Sequence, residues 1–462
     1  MPHAQTLTRA RRALVVGLGR TGVSVAGHLT ARGWSVAVTD TRPNPPGLEP
    51  LRAVAPDAAV FLGGYSEEAL RHADEIVLSP GVALNHPFLR EAAARGLTIV
   101  GDVELFAREV RGAVIAVTGS NGKSTVTTLV GLMAERAGRR VRVGGNLGTP
   151  ALDLLDHEHG AADTELYVLE LSSFQLETTS SLKPAAAVVL NLSADHMDRY
   201  ADLAAYAAAK ARAFQGCAVG LVNRADPIVA AMPSPGAKRI SFGPDAPPGP
   251  HDWGVVAQAG RSFLARGTEA LWPVDTLLTR GAHNVQNSLA AAALASAVGI
   301  EADAIGETLR EFRGLPHRTE FVADRGDVVW LNDSKGTNVG ATLAAIAGLE
   351  GPLVLILGGD GKGQDFAPLA AALVGKTRAA VLLGRDAPLL EQAISAAARA
   401  APATAPVLRR ASSMEQAVTA AAELAVAGDT VLLSPACSSL DMFESFEHRG
   451  RAFSNAVRRL AG

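Results

Sequence analysis

Cysteine is almost missing: Cys217 and Cys437 are the only two in 462 residues. A disulfide framework of the secreted kind is thereby excluded. Neither sign of charge is in excess, with 43 Lys and Arg against 46 Asp and Glu and a net charge of −3. That balance argues against a dedicated nucleic-acid binder. No apolar run approaches the roughly 18 residues of a membrane span. The basic start at Arg9, Arg11 and Arg12 leads into Ala13-Leu14-Val15-Val16. This run breaks at Gly17, too soon for an export signal. The expectation is a cytoplasmic protein with no membrane insertion. No long repeat and no low-complexity linker interrupts the chain. Lysine is scarce as well: Lys123, Lys183, Lys210, Lys238, Lys335, Lys362 and Lys376 are the only seven of the 43 basic residues. A lysine kept in such a chain suggests a need that arginine cannot meet, a compact charge or a reactive amine. The alternative is chance.

What is present is a globular composition, 48% apolar and 19% charged. At roughly 150 residues per domain the length suggests about three domains. Short apolar runs alternate with Ala-rich helical stretches, the signature of βα units and parallel sheets. The expected class is α/β with three domains. Boundaries fall near residue 100 and near Gly314-Leu315-Pro316, giving 1–100, 101–314 and 315–462. The Pro- and Gly-rich stretch 233–275 reads as a surface excursion of the middle domain. A set of four strands is expected in the last third: Val328–Leu331, Leu353–Leu357, Ala380–Leu383 and Thr430–Leu433.

Thr118-Gly119-Ser120-Asn121-Gly122-Lys123-Ser124-Thr125 carries the strongest chemical signal. It follows an apolar strand, Val114–Val117. It precedes a helical pattern at Val126, Leu129, Val130 and Met133. Backbone amides of a glycine loop at a helix N-terminus cradle phosphates. Lys123 would reach the β- and γ-phosphates, and Ser124 would bind Mg²⁺. The position separated from the Gly-Lys pair by four residues, which the general pattern gives to Gly, is Val117. The loop is therefore a variant.

Gly17-x-Gly19-x-x-Gly22, with Asp40 closing the next strand, fits a dinucleotide fingerprint. A nicotinamide cofactor, another nucleotide or a tight packing turn would each satisfy it. Asp195-His196-Met197-Asp198 lies between a strand and a helix, with His196 flanked by carboxylates. Glu170 ends a neighbouring strand and could add a carboxylate to Mg²⁺. Lys210, taken alone, reads as a solvated helix lysine. Gly358–Gly363, with Lys362, and Ser434–Ser439 each offer a loop for a small carboxylate. No base can be located for Cys437, which reads as a structural thiol.

The set Thr118–Thr125, Asp195–Asp198, Gly281-Ala-His-Asn284-Val-Gln-Asn287 and Leu315-Pro-His-Arg318 resembles the Mur ligases over nearly the whole chain. These ATP-dependent enzymes add amino acids to the peptidoglycan precursor. Within the family, Asn332–Asn338, Gly358–Gly363 and Ser434–Asp441 resemble the member that adds D-glutamate. The resemblance implies a Rossmann-like first domain, a central P-loop ATPase-like domain with a mainly parallel sheet, and a Rossmann-like last domain. It implies UDP-N-acetylmuramoyl-L-alanine held by Arg20, Thr21, Asp40, Arg42, Ser79, Gly81, Asn146, Ser172 and Gln175. It implies ATP on Gly119, Asn121, Gly122, Lys123, Ser124, Thr125, Asn284, Asn287, Arg318 and Asp333. D-Glutamate would meet Lys335, Thr337, Lys362, Ser439, Leu440 and Phe446. Two Mg²⁺ sites would use Ser124, Glu170, His196 and Lys210, the last as a carbamate formed with CO₂. Lys123, His196 and Lys210 would be catalytic, and a monomer would suffice. Gly336 departs from the family pattern, where Ala is usual. A folylpolyglutamate synthetase, an NAD-dependent dehydrogenase built on Gly17–Gly22, and a non-catalytic nucleotide-binding regulator are the rival readings.

Overall fold

The computed structural model describes residues 11–460, apart from 72, 156–162, 280, 350 and 400. Arg9 lies outside the described residues. Three sheets follow one another along the chain. The first holds five parallel strands in the spatial order Ala59–Leu62, Ser35–Asp40, Arg12–Val16, Glu75–Leu78, Thr98–Gly101. The strand order reverses beside Arg12–Val16, the kind of switch point where open α/β sheets take ligands. Gly17 and Ser79 follow the two strands that meet there.

The second sheet has nine strands. Its parallel part runs Lys238–Phe242, Val219–Asn223, Ala186–Val189, Ala113–Thr118, Leu166–Glu170, Val141–Gly145. Register sets the chemistry: Val117 pairs with Glu170, so that carboxylate sits beside the start of the glycine loop. Trp253–Gln258, Arg261–Arg266 and Glu269–Pro273 extend the same sheet as an antiparallel ribbon. The expected surface excursion at 233–275 is therefore corrected. Its Gly and Pro residues punctuate short strands, and Trp253, Leu264 and Trp272 are buried in the core.

The third sheet has six strands, not the four expected. Glu320–Arg325 adds an antiparallel edge beside Val328–Asn332, and Val407–Arg410 closes the other side. Neither added edge strand has a fully buried residue, so neither carries the apolar run that marks a buried strand. Leu353–Gly358, at the centre, is buried throughout.

The first two sheets share one hydrophobic core. Helix Asp102–Glu109 bridges them, with Phe106 edge-on to Tyr167 at 5.3 Å between ring centres. The third sheet has two cores of its own, one on each face. Among the described residues no helix is long and apolar enough to cross a membrane.

Candidate active site

The glycine loop is shaped by two glycines that no other residue would replace. Gly119 has φ +147 and Gly122 has φ +85, and a Cβ on Gly122 would come within 2.3 Å of Asn287 Oδ1. Asn191 clamps the loop from the neighbouring strand end. Its Oδ1 accepts the Asn121 amide at 2.8 Å, and its Nδ2 donates to the Asn121 carbonyl at 3.1 Å. Helix Lys123–Arg136 starts directly after, capped by Gly122 with no side-chain partner. Its first amides are left for a ligand. Lys123 folds back, its Nζ donating to the carbonyls of Gly119 and Ser120 at 2.9 Å each. Burial lowers its pKa, against the opposing pull of Glu170 and Asp195.

Ser124 is the junction of three elements. Its Oγ donates to Glu170 Oε2 at 2.6 Å and accepts from Arg318 Nη2 at 2.6 Å. Asn146 Nδ2 holds the other oxygen of Glu170 at 2.9 Å. Lys210 points inward and is 1% exposed, which overturns its reading as a solvated helix lysine. Its Nζ donates to the Gly119 carbonyl at 2.9 Å and lies 4.7 Å from the Tyr206 ring centre. Burial, then the charge of Lys123, lowers its pKa well below the ordinary value. His196 has φ +58 and stands edge-on to Phe174. Burial lowers its pKa, and Lys362, Lys123 and Lys210 lower it further against Asp195. The imidazole is thus kept neutral, the form that offers a lone pair.

The charges around Ser124 come from both the second and third sheets. Asp333 accepts Ser434 Oγ at 2.7 Å and the Thr319 amide at 3.2 Å, and burial pushes its pKa up to about 7. Lys335 lies over the Phe446 ring at 3.9 Å, with its pKa brought down to about 8 chiefly by burial. A cavity of about 330 Å³ joins Asn121, Gly122, Thr125, Asn284, Asn287, Arg318, Asp333 and Lys335. Asn287 reaches Asn284 Oδ1 at 3.4 Å. Ser439 is buried, whereas Leu440 is 70% exposed. Thr337 is half-buried beside Lys335, whose carbonyl accepts its amide at 2.8 Å. Gly336 is explained locally: a Cβ there would lie 2.6 Å from Ser434 Oγ and 2.7 Å from Asp333 Oδ2. Cys437 is fully buried and its thiol is pushed up to about 12 by burial, as befits a structural residue.

A second cavity, about 520 Å³, lies at the switch point of the first sheet. Arg20, Thr21, Asp40, Arg42, Ser79 and Gly81 line it, with Asn146 and Gln175 from the second sheet. Asn146 therefore touches both this cavity and Glu170. Asp40 and Gln175 are among those already engaged. Asp40 takes Arg42 Nη2 at 2.7 Å and the Leu18 amide at 2.7 Å, and the Arg42 bonds hold its pKa down at about 2. Gln175 donates to Asp102 Oδ2 at 3.1 Å and accepts the Ser172 amide at 3.1 Å, completing a capping box with Ser172. Both are better placed to shape the cavity than to offer free polar atoms.

Sequence reasoning missed Arg449. It is 1% exposed, and it donates to Ser334 Oγ, the Ser334 carbonyl and the Cys437 carbonyl at 3.0, 2.8 and 3.1 Å. It ties together two loops singled out above. The helix Phe446–Arg459 carries several exposed arginines, so nothing in the sequence marks this one as inward. Among the described residues no group of three His, Cys, Asp or Glu could hold a metal ion. Ser124 and Glu170 nonetheless offer adjacent hard oxygens. Mg²⁺ commonly takes one or two protein oxygens and fills the rest with phosphate and water.

Three family descriptions match in order: Mur ligase MurD-like N-terminal domain over 11–101, Mur ligase middle domain over 117–295, and Mur ligase glutamate ligase domain over 317–437. The chain is 49% identical to the UDP-N-acetylmuramoylalanine–D-glutamate ligase of Nitrosococcus oceani over 453 residues, 98% of this chain and 97% of that one. It is 52% identical to the enzyme of that name from Pseudomonas syringae pv. tomato, covering 97% and 98%. Among solved structures, UDP-N-acetylmuramate-alanine ligase MurC from Thermotoga maritima shares the fold at a TM-score of 0.60 and 17% identity, covering 97% and 99%. MurF from Acinetobacter baumannii does so at 0.60 and 17%, covering 98% and 92%. On the order of its three units, its glycine loop and these relatives, the chain belongs to the Mur ligase family.

Proposed function

We infer that the chain is an ATP-dependent ligase that joins D-glutamate to UDP-N-acetylmuramoyl-L-alanine in peptidoglycan precursor synthesis. The observation that carries the site assignment is a surplus of buried cations. Lys123, Arg318 and Lys335 converge with Glu170 and Asp195 on one glycine loop, and burial lowers the pKa of all three cations. A polyanion supplies what such a cluster lacks. A triphosphate on the Gly119–Thr125 loop is the reading that fits, with Asn284 and Asn287 on its base side and Asp333 and Arg318 nearby.

The three units then divide the work: 1–100 for the uridine nucleotide, 101–314 for ATP, and 315–462 for D-glutamate. The L-alanine carboxylate would enter between Asn146 and Lys123. A carboxylate is a poor acyl donor, because its leaving group would be oxide. Transfer of the γ-phosphoryl group gives an acyl phosphate, whose phosphate leaves readily. Lys123 and Arg318 offset the charge on the phosphoryl oxygens as it moves. The amine of D-glutamate attacks the carbonyl, and Lys335, Thr337, Lys362, Ser439, Phe446 and the backbone at Leu440 would orient it. Closing the third unit over the other two would exclude water from the acyl phosphate.

Mg²⁺ fits the donor chemistry at Ser124 and Glu170, with neutral His196 as a further ligand, and it would supply charge neutralisation of the phosphates. Lys210 as a carbamate would turn a repelling ammonium into an oxygen ligand for a second Mg²⁺. Its lowered pKa supports this, since only the neutral amine reacts with CO₂. One chain supplies every proposed group, so a monomer suffices. A cytoplasmic setting goes with the nucleotide substrates.

Phosphate release from ATP and Mg²⁺ tests the reading. It should require both UDP-N-acetylmuramoyl-L-alanine and D-glutamate. Release driven by a folate in place of the uridine nucleotide would overturn it.

A further inference from the structure

Asn338 begins helix Val339–Ala347 in the third unit, and its Oδ1 caps that helix by accepting the Ala341 amide at 2.8 Å. The same oxygen also accepts a long bond from Asn121 Nδ2 at 3.5 Å. The amide nitrogen crosses to the second unit, donating to Asn121 Oδ1 at 3.3 Å and to Asp195 Oδ2 at 3.3 Å. Asn121 belongs to the glycine loop, and Asp195 adjoins His196. Two residues on, the backbone of Gly340 faces Ser193 so closely that a Cβ would lie 2.7 Å from Ser193 Cβ and Oγ. The same helix start is tied in the other direction. The Val339 amide donates to Gln364 Oε1 at 2.8 Å, and Gln364 Nε2 donates to the Gly361 carbonyl at 2.9 Å. Lys362 follows Gly361. Joined through the Asn338–Val339 peptide, these hydrogen bonds lead from the glycine loop to the Lys362 loop. The third unit has its own cores, so contacts of this kind hold its position.

We propose that Asn338 is a positioning residue: its amide nitrogen seats the third unit on the glycine loop, and Gln364 passes that seating to the loop carrying Lys362. The inference rests on the ligase reading above and assigns a determinant within that site. The nucleotide-bound loop and the amine-binding loop are thereby placed together, so that closure and amine capture are one event.

Asn338→Asp separates this role from capping. Asp caps a helix as well as Asn does, so the fold is kept. It removes both bonds from the amide nitrogen and sets a carboxylate against Asp195, leaving only the long bond from Asn121 Nδ2. With ATP, Mg²⁺, UDP-N-acetylmuramoyl-L-alanine and D-glutamate, kcat should fall about tenfold or more. KM for D-glutamate should rise while KM for the uridine nucleotide holds. Phosphate released should exceed ligated product, as acyl phosphate is lost to water. Unchanged kcat, unchanged KM for D-glutamate and one phosphate per product would overturn the proposal. Gly340→Ala is the second variant, because Ala favours the helix yet obstructs the seat. It should retain the unfolding temperature and lose coupling in the same way, and full coupling in it would also overturn the proposal. Small-angle scattering with a non-hydrolysable ATP analogue and Mg²⁺ gives a readout that needs no turnover. The wild type should compact and Asn338→Asp should not; equal compaction refutes the seating. A wild type that compacts but releases no phosphate with the two substrates would sink the ligase reading instead.

Discussion

Asp333→Asn removes a buried charge while keeping the side chain's volume. Asp333 is 8% exposed, and burial raises its pKa from 3.8 to about 7. The folded pKa therefore lies above the unfolded one. Between those two values the unfolded chain gives up its proton first, so rising pH erodes stability there. Above pH 7 the loss is complete, and the gap corresponds to roughly 4 kcal/mol at about 1.4 kcal/mol per pH unit. Asn cannot ionise. It retains an acceptor for the Thr319 amide and disturbs the bond from Ser434, a loss of about 1 kcal/mol. The ligand-free variant should thus be more stable than the wild type at pH 8 by about 3 kcal/mol. The advantage should shrink steadily towards pH 4 and end slightly reversed. Urea unfolding of both proteins at pH 4.5, 6, 7 and 8, followed through Trp330 in the third unit's core, measures this. A stability difference that does not change with pH would refute the reasoning. Activity should fall in the same variant, because its carboxylate faces the nucleotide cavity.

Lys210→Ala should lose at least about a hundredfold in kcat, the usual effect of deleting a preorganised charged group. Partial rescue by formate or acetate is expected, and full activity without added acid would remove Lys210 from the site. Gly122→Ala forces φ +85 on a residue with a Cβ and drives that Cβ to 2.3 Å from Asn287 Oδ1. The strain is about 1–2 kcal/mol, and titration with an ATP analogue should show affinity down by about tenfold or more. Arg199 donates to the carbonyls of Gly81 and Val82 at 3.2 Å each and covers Phe174 at 4.2 Å. Arg199→Ala should raise KM for the uridine nucleotide several-fold and leave ATP affinity intact, as initial rates at saturating ATP will show.

Features with a local cause were legible in the sequence. The loop Thr118–Thr125 is written as glycines between an apolar strand and an apolar-periodic helix, and the fold places it there. The central strands of all three sheets are continuous apolar runs because both their faces are covered. Features decided by distant partners were not legible. Trp253 and Trp272 stack in the core at 6.2 Å, but their strands are short and flanked by glycine and proline, so the segment reads as loop. Lys210 sits on a helix of small residues, and only the packing of that helix against the glycine loop turns it inward. Asp40 looks like a free nucleotide ligand until Arg42, two residues on, is seen to close over it. Arg449 differs from its exposed neighbours only in what it meets across the sheet.

The lowered lysine pKa values give nucleotide binding a proton balance. In the ligand-free chain, burial brings the Lys335 pKa down to about 8, and Lys123 lies below its ordinary value as well. A bound triphosphate favours the protonated amines and draws their pKa values back up. Association near pH 8 then takes protons from the buffer. Its measured heat will vary with the buffer's own heat of ionisation, more positive in Tris than in phosphate. Affinity will weaken as pH climbs past 8, although no group on the nucleotide titrates there. The buried cations thus make this chain a proton acceptor at the moment it closes on its anion.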